Sequence, residues 1–369
     1  MPRRSNARHC LAILVFALSG CGGAGDPRVP PGYPSDYSKI LDRGDKEGHL
    51  LVWSVVDRPR AEGLLTDFHR AHPGIAVTYV EMTAQELNDR FLAAAAHHRR
   101  VPDVLWSSAM DLQIKLCNDG YAQTYISPEA RTLPDWANWK NEAWGTTKEP
   151  IVFVYNRHLI DDAHMPASHL ALTEFLETRP ADIRDRVATY DIAGSAVGYL
   201  YLSQDEDASP DIWRLVRAIG KNKPLLYPKA DQVIQAVKAG RAAIGYNVVG
   251  STLLPRDKAN PDIGLILPSD YMLFMSRIAL ISKDAPDPNA ARLFIDFLLS
   301  KAGQERLVQQ AMPSVRKDFP KSARLQPAGS QLRAIRVGPE LLVDRDQLTR
   351  DYFLNKWKAA VDSGSHSSQ

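Results

Sequence analysis

Apolar and polar positions fall into two regimes that meet near residue 150. In the first, the apolar run 50–56 reads as a strand. Residues 58–72 then place Ala61, Leu64, Leu65 and Phe68 on one helical face before Pro73-Gly74 ends it. Residues 75–82 are β-branched and alternating, Thr83-Ala84-Gln85-Glu86 is a capping-box pattern, and 103–106 is a short apolar strand. Ser108-Ala109-Met110-Asp111 repeats the capping box before a helix that ends at Asn118-Asp119-Gly120. Strand and helix in this alternation build a parallel sheet with helices on its faces.

Residues 127–150 are punctuated by Ser-Pro, Leu-Pro, Trp-Gly and Glu-Pro, and a second series follows. Strands are expected at 151–155, 187–190, 225–227, 242–247, 263–267 and 273–281, with one helix opening near Ser195 and another over 230–239. Ala290, Leu293, Phe294, Phe297 and Leu298 mark an amphipathic helix, and 341–360 also reads as helical. Two α/β units joined by more than one link predict an α/β protein of two lobes around a cleft. No internal repeat of fixed period is present.

The chain before residue 49 has a different texture. Arg3, Arg4 and Arg8 precede the apolar run 11–18 and then Leu18-Ser19-Gly20-Cys21. A charged leader, a short apolar core and small residues at a cleavage point define a secretory signal peptide, here 1–20. The run is too short for a transmembrane helix, which needs about 20 apolar residues. The four residues ending in Cys21 resemble the lipobox of bacterial lipoproteins, which implies a lipid-modified N-terminus at Cys21. Gly22, in place of an acidic residue, favours the outer membrane by resemblance to known sorting patterns. Residues 21–48, rich in Gly, Pro and charge, read as a lipidated tether.

Composition narrows the chemistry. The 369 residues are 44% hydrophobic and 24% charged, ordinary globular usage, and a net charge of +2 gives no reason to expect a nucleic-acid partner. Of three cysteines, Cys10 leaves with the signal peptide and Cys21 is acylated. Cys117 is left without an internal disulfide partner, at an apolar helix position that suits buried filler. There is no Walker loop, no Gly-x-Gly-x-x-Gly and no His-Glu-x-x-His, and Gly194-Ser195-Ala196-Val197-Gly198 has the wrong spacing for a serine nucleophile elbow. His69 with His72 reads as a solvated helix end, and Asp205-Glu206-Asp207 as an exposed polar loop. No catalytic residue, metal or cofactor is therefore expected, and a hydrolase is the remote alternative.

In open parallel sheets, ligands sit beyond the carboxyl ends of strands, where helix N-termini offer N–H groups to anions. Three such loops recur: Ser54 with Asp57, Arg58 and Arg60; Ser107-Ser108; and Tyr190-Asp191 leading to Ser195. Arg277 stands within an otherwise apolar run, where a charge requires a partner.

From Leu50 to Lys358 the chain resembles the type II periplasmic solute-binding proteins of ABC importers. The resemblance rests on Leu51-Val52-Trp53-Ser54, Pro102-Asp103-Val104-Leu105-Trp106-Ser107-Ser108, Glu149-Pro150 leading to Tyr155-Asn156, and Gly245-Tyr246-Asn247-Val248-Val249-Gly250-Ser251. Asp287-Pro288-Asn289-Ala290-Ala291, Leu299-Ser300 and Gly303-Gln304 continue it. It looks closest to the branch of ferric-ion binders, sugar-phosphate binders and phosphoglycerate sensor-accessory proteins. That implies a type II fold, each lobe a mostly parallel sheet with helices on both faces. Lobe 1 would be 49–150 and 272–330, and lobe 2 would be 151–271 and 331–369. It also implies a monomer that hands its solute to a permease, or alternatively reports to a sensor kinase. Ferric binders present adjacent tyrosines where this chain has Val248-Val249, so the resemblance favours a small organic anion. Expected ligand contacts are Ser54, Asp57, Arg58, Ser107, Ser108, Tyr190, Asp191, Ser195, Tyr246, Asn247 and Arg277.

Overall fold

The computed structural model describes residues 26–178, 183–253, 261–320 and 330–362; the expected signal peptide and lipidation site, residues 1–21, lie outside them. In chain order the elements begin with α1 (Ser38–Glu47), β1 (His49–Ser54), α2 (Arg58–Ala71), β2 (Ala76–Glu81), α3 (Ala84–Ala96), β3 (Val104–Ser107), α4 (Met110–Asn118), β4 (Asn138–Trp139) and β5 (Ala143–Gly145). There follow β6 (Glu149–Asn156), α5 (His169–Thr178), β7 (Val187–Tyr190), α6 (Ala196–Ala208), α7 (Ile212–Lys221), β8 (Leu225–Tyr227), α8 (Ala230–Lys238), β9 (Ile244–Val249), β10 (Ile263–Ile266) and β11 (Tyr271–Met275). The chain closes with β12 (Ile278–Ile281), α9 (Pro288–Leu299), α10 (Lys301–Gln309), β13 (Gln331–Ala334) and α11 (Gln347–Asp362).

Two sheets result, ordered β2-β1-β3-β12-β5-β4 and β13-β11-β6-β9-β7-β8, with β10 also paired to β6. The β2-β1-β3 ladder is parallel, whereas β12, β5 and β4 join it antiparallel. In the second sheet β9-β7-β8 and β11-β13 are parallel, and β6 runs against its neighbours. This is the α/β, two-sheet type II fold that the strand–helix alternation and the resemblance imply.

One expected strand, 273–281, is two strands. Met275 ends β11 in the second sheet and Ile278 opens β12 in the first, so Ser276-Arg277 is where the chain crosses between sheets. The lobe boundary expected at 272 accordingly moves, since Tyr271–Met275 pairs within the second sheet. Leu273 and Met275 before the crossing and Ile278 and Leu280 after it are buried in one apolar cluster, so the apolar pattern runs on unbroken and cannot register the change of sheet.

The expected tether is also corrected for residues 26–48. Tyr37 and Leu41 are buried, and α1 packs along α9 so closely that a Cβ on Gly44 would stand 2.6 Å from Leu293 Cδ1. Glu47 accepts the backbone N–H groups of Asn289 and Ala290, each at 2.8 Å, capping α9 with the negative charge its N-terminus favours. Arg28 pairs with Asp26, Asp42 and Asp45. Gly and Pro in this stretch shape turns around a docked helix rather than a loose linker.

Helix α6 occupies the middle of the molecule. Gly198, Tyr199, Leu200, Tyr201, Leu202, Ser203 and Asp205 are all buried, and a helix apolar on every side must be enclosed on every side. It meets α3 and α4 from the first half and α7, β9 and β11 from the second. One apolar cluster therefore runs from Met82, Phe91 and Ile114 through Tyr199 and Leu202 to Trp213 and Phe353. Cys117 belongs to that cluster, and burial pushes its thiol up to about 12, as suits inert filler.

Asp296 of α9 accepts hydroxyl hydrogen bonds from Tyr37 (2.8 Å), Tyr125 (2.6 Å) and Ser127 (2.5 Å). Burial raises its carboxyl to about 7 despite those donors. A carboxyl raised on folding contributes fully below its unfolded value of about 4, and that contribution is lost as pH rises through about 7. Asp296→Asn should therefore be more stable than the parent at pH 8, by on the order of a few kcal/mol, and the gap should close towards pH 4. Urea denaturation at the two pH values measures it; a pH-independent difference would refute the assignment.

Candidate ligand-binding cleft

The crossings between the sheets lie side by side. Residues 146–148 lead from β5 to β6, Ser276-Arg277 leads from β11 to β12, and the strand-like segment at Pro313 accompanies them. Thr146 donates its N–H (2.9 Å) and hydroxyl (2.8 Å) to the Arg277 carbonyl, and the Arg277 N–H donates to Thr147 Oγ1 at 2.9 Å. Lys148 N–H donates to the Pro313 carbonyl at 2.8 Å. Gly145 is required here, because a Cβ would stand 2.7 Å from Ser276 Oγ.

Arg277 has the partner its apolar surroundings require. Its Nε and Nη2 donate to the two carboxylate oxygens of Glu149, at 2.8 and 3.1 Å, and Glu149 is fully buried. Glu149 also accepts from Thr147 Oγ1 (2.8 Å) and from the Ser251 hydroxyl. Burial alone would raise this carboxyl; the charges of Arg277 and Arg60 reverse that and hold it below its ordinary range. Burial likewise works against the Arg277 charge, and Glu149 more than restores it.

Around this pair the two lobes converge. Parallel β1 and β3 are neighbours, so their carboxyl ends at Ser54 and Ser107 lie together. Ser54 donates to the Trp106 carbonyl (3.0 Å) and accepts from Val56 N–H (3.1 Å), while Ser107 Oγ accepts from Ala109 N–H (3.2 Å). Arg60, half-buried, donates to the carbonyls of Gln310 (3.1 Å) and Ser251 (3.5 Å); burial first and Arg277 second depress its pKa. From the second lobe, β7 ends at buried Tyr190, and Ser195 caps α6 by accepting from Gly198 N–H at 3.3 Å. Burial raises the phenols of Tyr79, Tyr190 and Tyr201, and the Arg277 charge opposes that rise in all three.

Other expected contacts sit elsewhere. Arg58 is exposed and spends its charge on Glu62 at 2.8 Å; Arg60, two residues on, takes the interior position. Asp57 is exposed, Asp191 accepts from Ala193 N–H at 3.2 Å in its own turn, and Ser108 is half-buried beside Ser107. The expected capping box at 108–111 does not form: α4 begins at Met110 with Ala109 as N-cap, and Asp111 pairs instead with Arg345 at 3.3 Å. Tyr246 and Asn247 both donate to Asp205 at 2.6 Å inside the second lobe, with Tyr271 adding a third bond at 3.0 Å. Asp205 is thus a buried member of α6, not part of an exposed polar loop; three neutral donors satisfy it, and burial raises its pKa. Glu149 and Tyr201 are not among the contacts expected from sequence, and Arg60 enters there only as a member of the first loop. Glu149-Pro150 contributed only to the resemblance, Arg60 was weighed beside Arg58, and nothing local distinguishes Tyr201 from core.

The ion pair makes a direct prediction. Glu149→Ala should destabilise by about 3–5 kcal/mol in urea denaturation, because it strands the Arg277 charge in the interior. Glu149→Met combined with Arg277→Met should recover most of that loss. A single-variant cost below about 1 kcal/mol would show that water reaches the pair.

Over residues 63–329 the chain matches the family described as bacterial extracellular solute-binding protein. No curated protein matches the chain. Among solved structures, the substrate-binding protein of an ABC transporter from Agrobacterium tumefaciens is 36% identical, with a TM-score of 0.79, over 85% of this chain and 94% of that one. The fold is shared more distantly with AfuA from Actinobacillus pleuropneumoniae, solved with fructose-6-phosphate (16% identity, TM-score 0.68, 85% and 99% covered). Iron-bound HitA from Pseudomonas aeruginosa shares it too (18% identity, TM-score 0.65, 85% and 99% covered). With the family match spanning most of the chain and a solved substrate-binding protein 36% identical to it, this chain belongs to the bacterial extracellular solute-binding protein family.

Proposed function

We propose that the protein captures a small phosphorylated or carboxylated organic anion between its lobes by hinge closure and passes it to an ABC permease. The observation that carries this reading is the convergence of Arg277 and Arg60 on the crossing. Glu149 engages Nε and Nη2 of Arg277, while Arg60 bonds to main-chain carbonyls, so the two guanidiniums share a single carboxylate contact among the described residues. Guanidinium N–H groups suit carboxylate and phosphate oxygens; Ser54 and Ser107 end neighbouring strands of the first sheet, and Ser195 caps α6 after β7. Binding without turnover accords with the family, whose description is that of solute-binding proteins.

A ferric ion is a poorer match. The tyrosine nearest the expected iron-binding position, Tyr246, gives its hydroxyl to Asp205, and the residues beyond are Val248 and Val249. Phenolate oxygens would be the natural ligands of a hard trivalent ion.

We further propose periplasmic export and a lipid anchor at Cys21. The folded body starts at residue 26 at the latest, with Arg28 bound to α1. At roughly 3.5 Å per extended residue, the lipid would lie within about 20 Å of the body.

Mass spectrometry of solute released from the purified protein identifies the ligand directly. In thermal-shift titrations with phosphosugars, phosphoglycerates and carboxylates, Arg277→Gln and Arg60→Gln should each weaken the best anion about 10- to 100-fold, the worth of one charge-assisted bond. Undiminished shifts in both variants would remove the anion assignment. Cys21→Ala should abolish membrane fractionation and leave solute affinity unchanged; loss of both together would make the anchor part of the site.

A further inference from the structure

Eight tyrosines are buried among the described residues, and six donate their hydroxyl to a protein acceptor. Tyr37 donates to Asp296, Tyr79 to the Val56 carbonyl, Tyr155 to Asp162, and Tyr199 to the Asp344 carbonyl. Tyr246 and Tyr271 both donate to Asp205. Tyr190 and Tyr201 are the exceptions: each is at most 1% exposed, and neither hydroxyl has a hydrogen-bond partner among the described residues. The two rings are neighbours, with centroids 6.1 Å apart and planes at 70°.

A buried hydroxyl without a partner is costly, and two of them on neighbouring rings call for an explanation. Their placement is built. Tyr190 ends β7 on the strand-end face, and α6 lies directly on it: a Cβ at Gly198 would collide with Tyr190 Cβ. Tyr201 follows one turn along the same helix. β7 runs parallel to β9, and just past the carboxyl end of β9 the Ser251 hydroxyl donates to Glu149 while its carbonyl accepts from Arg60, so Tyr190 stands on the sheet edge that meets the crossing. The Arg277 charge acts on both phenols. Tyr246 and Asn247 are already spent on Asp205.

The chemistry of the two halves differs. Guanidinium N–H groups only donate, and match an anionic oxygen. A protonated phenol both donates and accepts, and so complements a ligand hydroxyl, which does the same. We propose that Tyr190 and Tyr201 read hydroxyl groups of the solute, so that the ligand is a hydroxylated organic anion rather than an inorganic or plain aliphatic one. This rests on the anion reading above and assigns the specificity of that site to two named side chains.

Tyr190→Phe and Tyr201→Phe keep both rings and remove only the hydroxyls. Matched probes are glycerol 3-phosphate against propyl phosphate and glycerate against propionate, with inorganic phosphate as reference, titrated by calorimetry and thermal shift. The wild type should prefer the hydroxylated member of a pair at least tenfold, and each Phe variant should lose about tenfold of that preference. Binding of the plain anion should be unchanged, and the ligand-free variants should melt no lower than wild type, since they shed an unpartnered polar atom. If the preference survives in both variants, or if both are destabilised with preference intact, the hydroxyls are structural and the inference is wrong. Wild-type binding with equal affinity for both members of each pair would overturn it while leaving the anion reading standing. Absence of binding by every anion would bring down both.

Discussion

The buried Glu149–Arg277 pair is the interaction on which the arrangement of the two lobes depends. Each partner belongs to a different crossing, and each would be untenable alone in the interior. Because the guanidinium fork meets the carboxylate through two bonds, the pair fixes the relative position of the crossings as well as offsetting its own desolvation. Thr147 and Ser251 complete the carboxylate's shell, which ties the end of β9 to the same point. A salt bridge replaced by well-packed apolar residues can be as stable. What the ion pair adds here is a charge at the focus of the strand ends, where a solute would be recognised.

Helix α6 supplies the second constraint. It meets elements of both halves, and it carries side chains with different tasks: Asp205 organises the interior of the second lobe, while Tyr201 packs edge-on against Tyr190. Its cap, Ser195, and its close contact with Tyr190 through Gly198 fix where β7 delivers its last side chain. The segment 335–346 adds a strap, since Val337 bonds to the Trp136 carbonyl and Arg345 reaches Asp111 on α4. Interlobe contact is thus distributed over a helix, a strap and the crossings.

At the N-terminus the same economy of packing recurs. Tyr37, Gly44 and Glu47 each meet α9, by hydroxyl, by close backbone approach and by helix capping. The segment preceding the first strand is thereby part of the first lobe's core, and a membrane anchor at Cys21 would hold the body at short range.

Hydrophobic periodicity alone determined most strands and helices, because a half-buried strand or helix writes its buried face into local spacing: Arg58–Ala71 and Val187–Tyr190 stand where it placed them. Strand-end logic also anticipated that Ser54, Ser107 and Tyr190 end strands and that Ser195 opens a helix, since a strand-to-helix turn is a local feature. Arg277 was legible as a charge needing a partner. That its partner is Glu149, 128 residues earlier, was not. Only the tertiary structure decided that 273–281 divides between two sheets, that Asp205 is interior, that Arg60 rather than Arg58 turns inward, and that Tyr201 lies with Tyr190. Each of these depends on which distant surface covers a residue, and a one-dimensional pattern records how much is buried without recording against what.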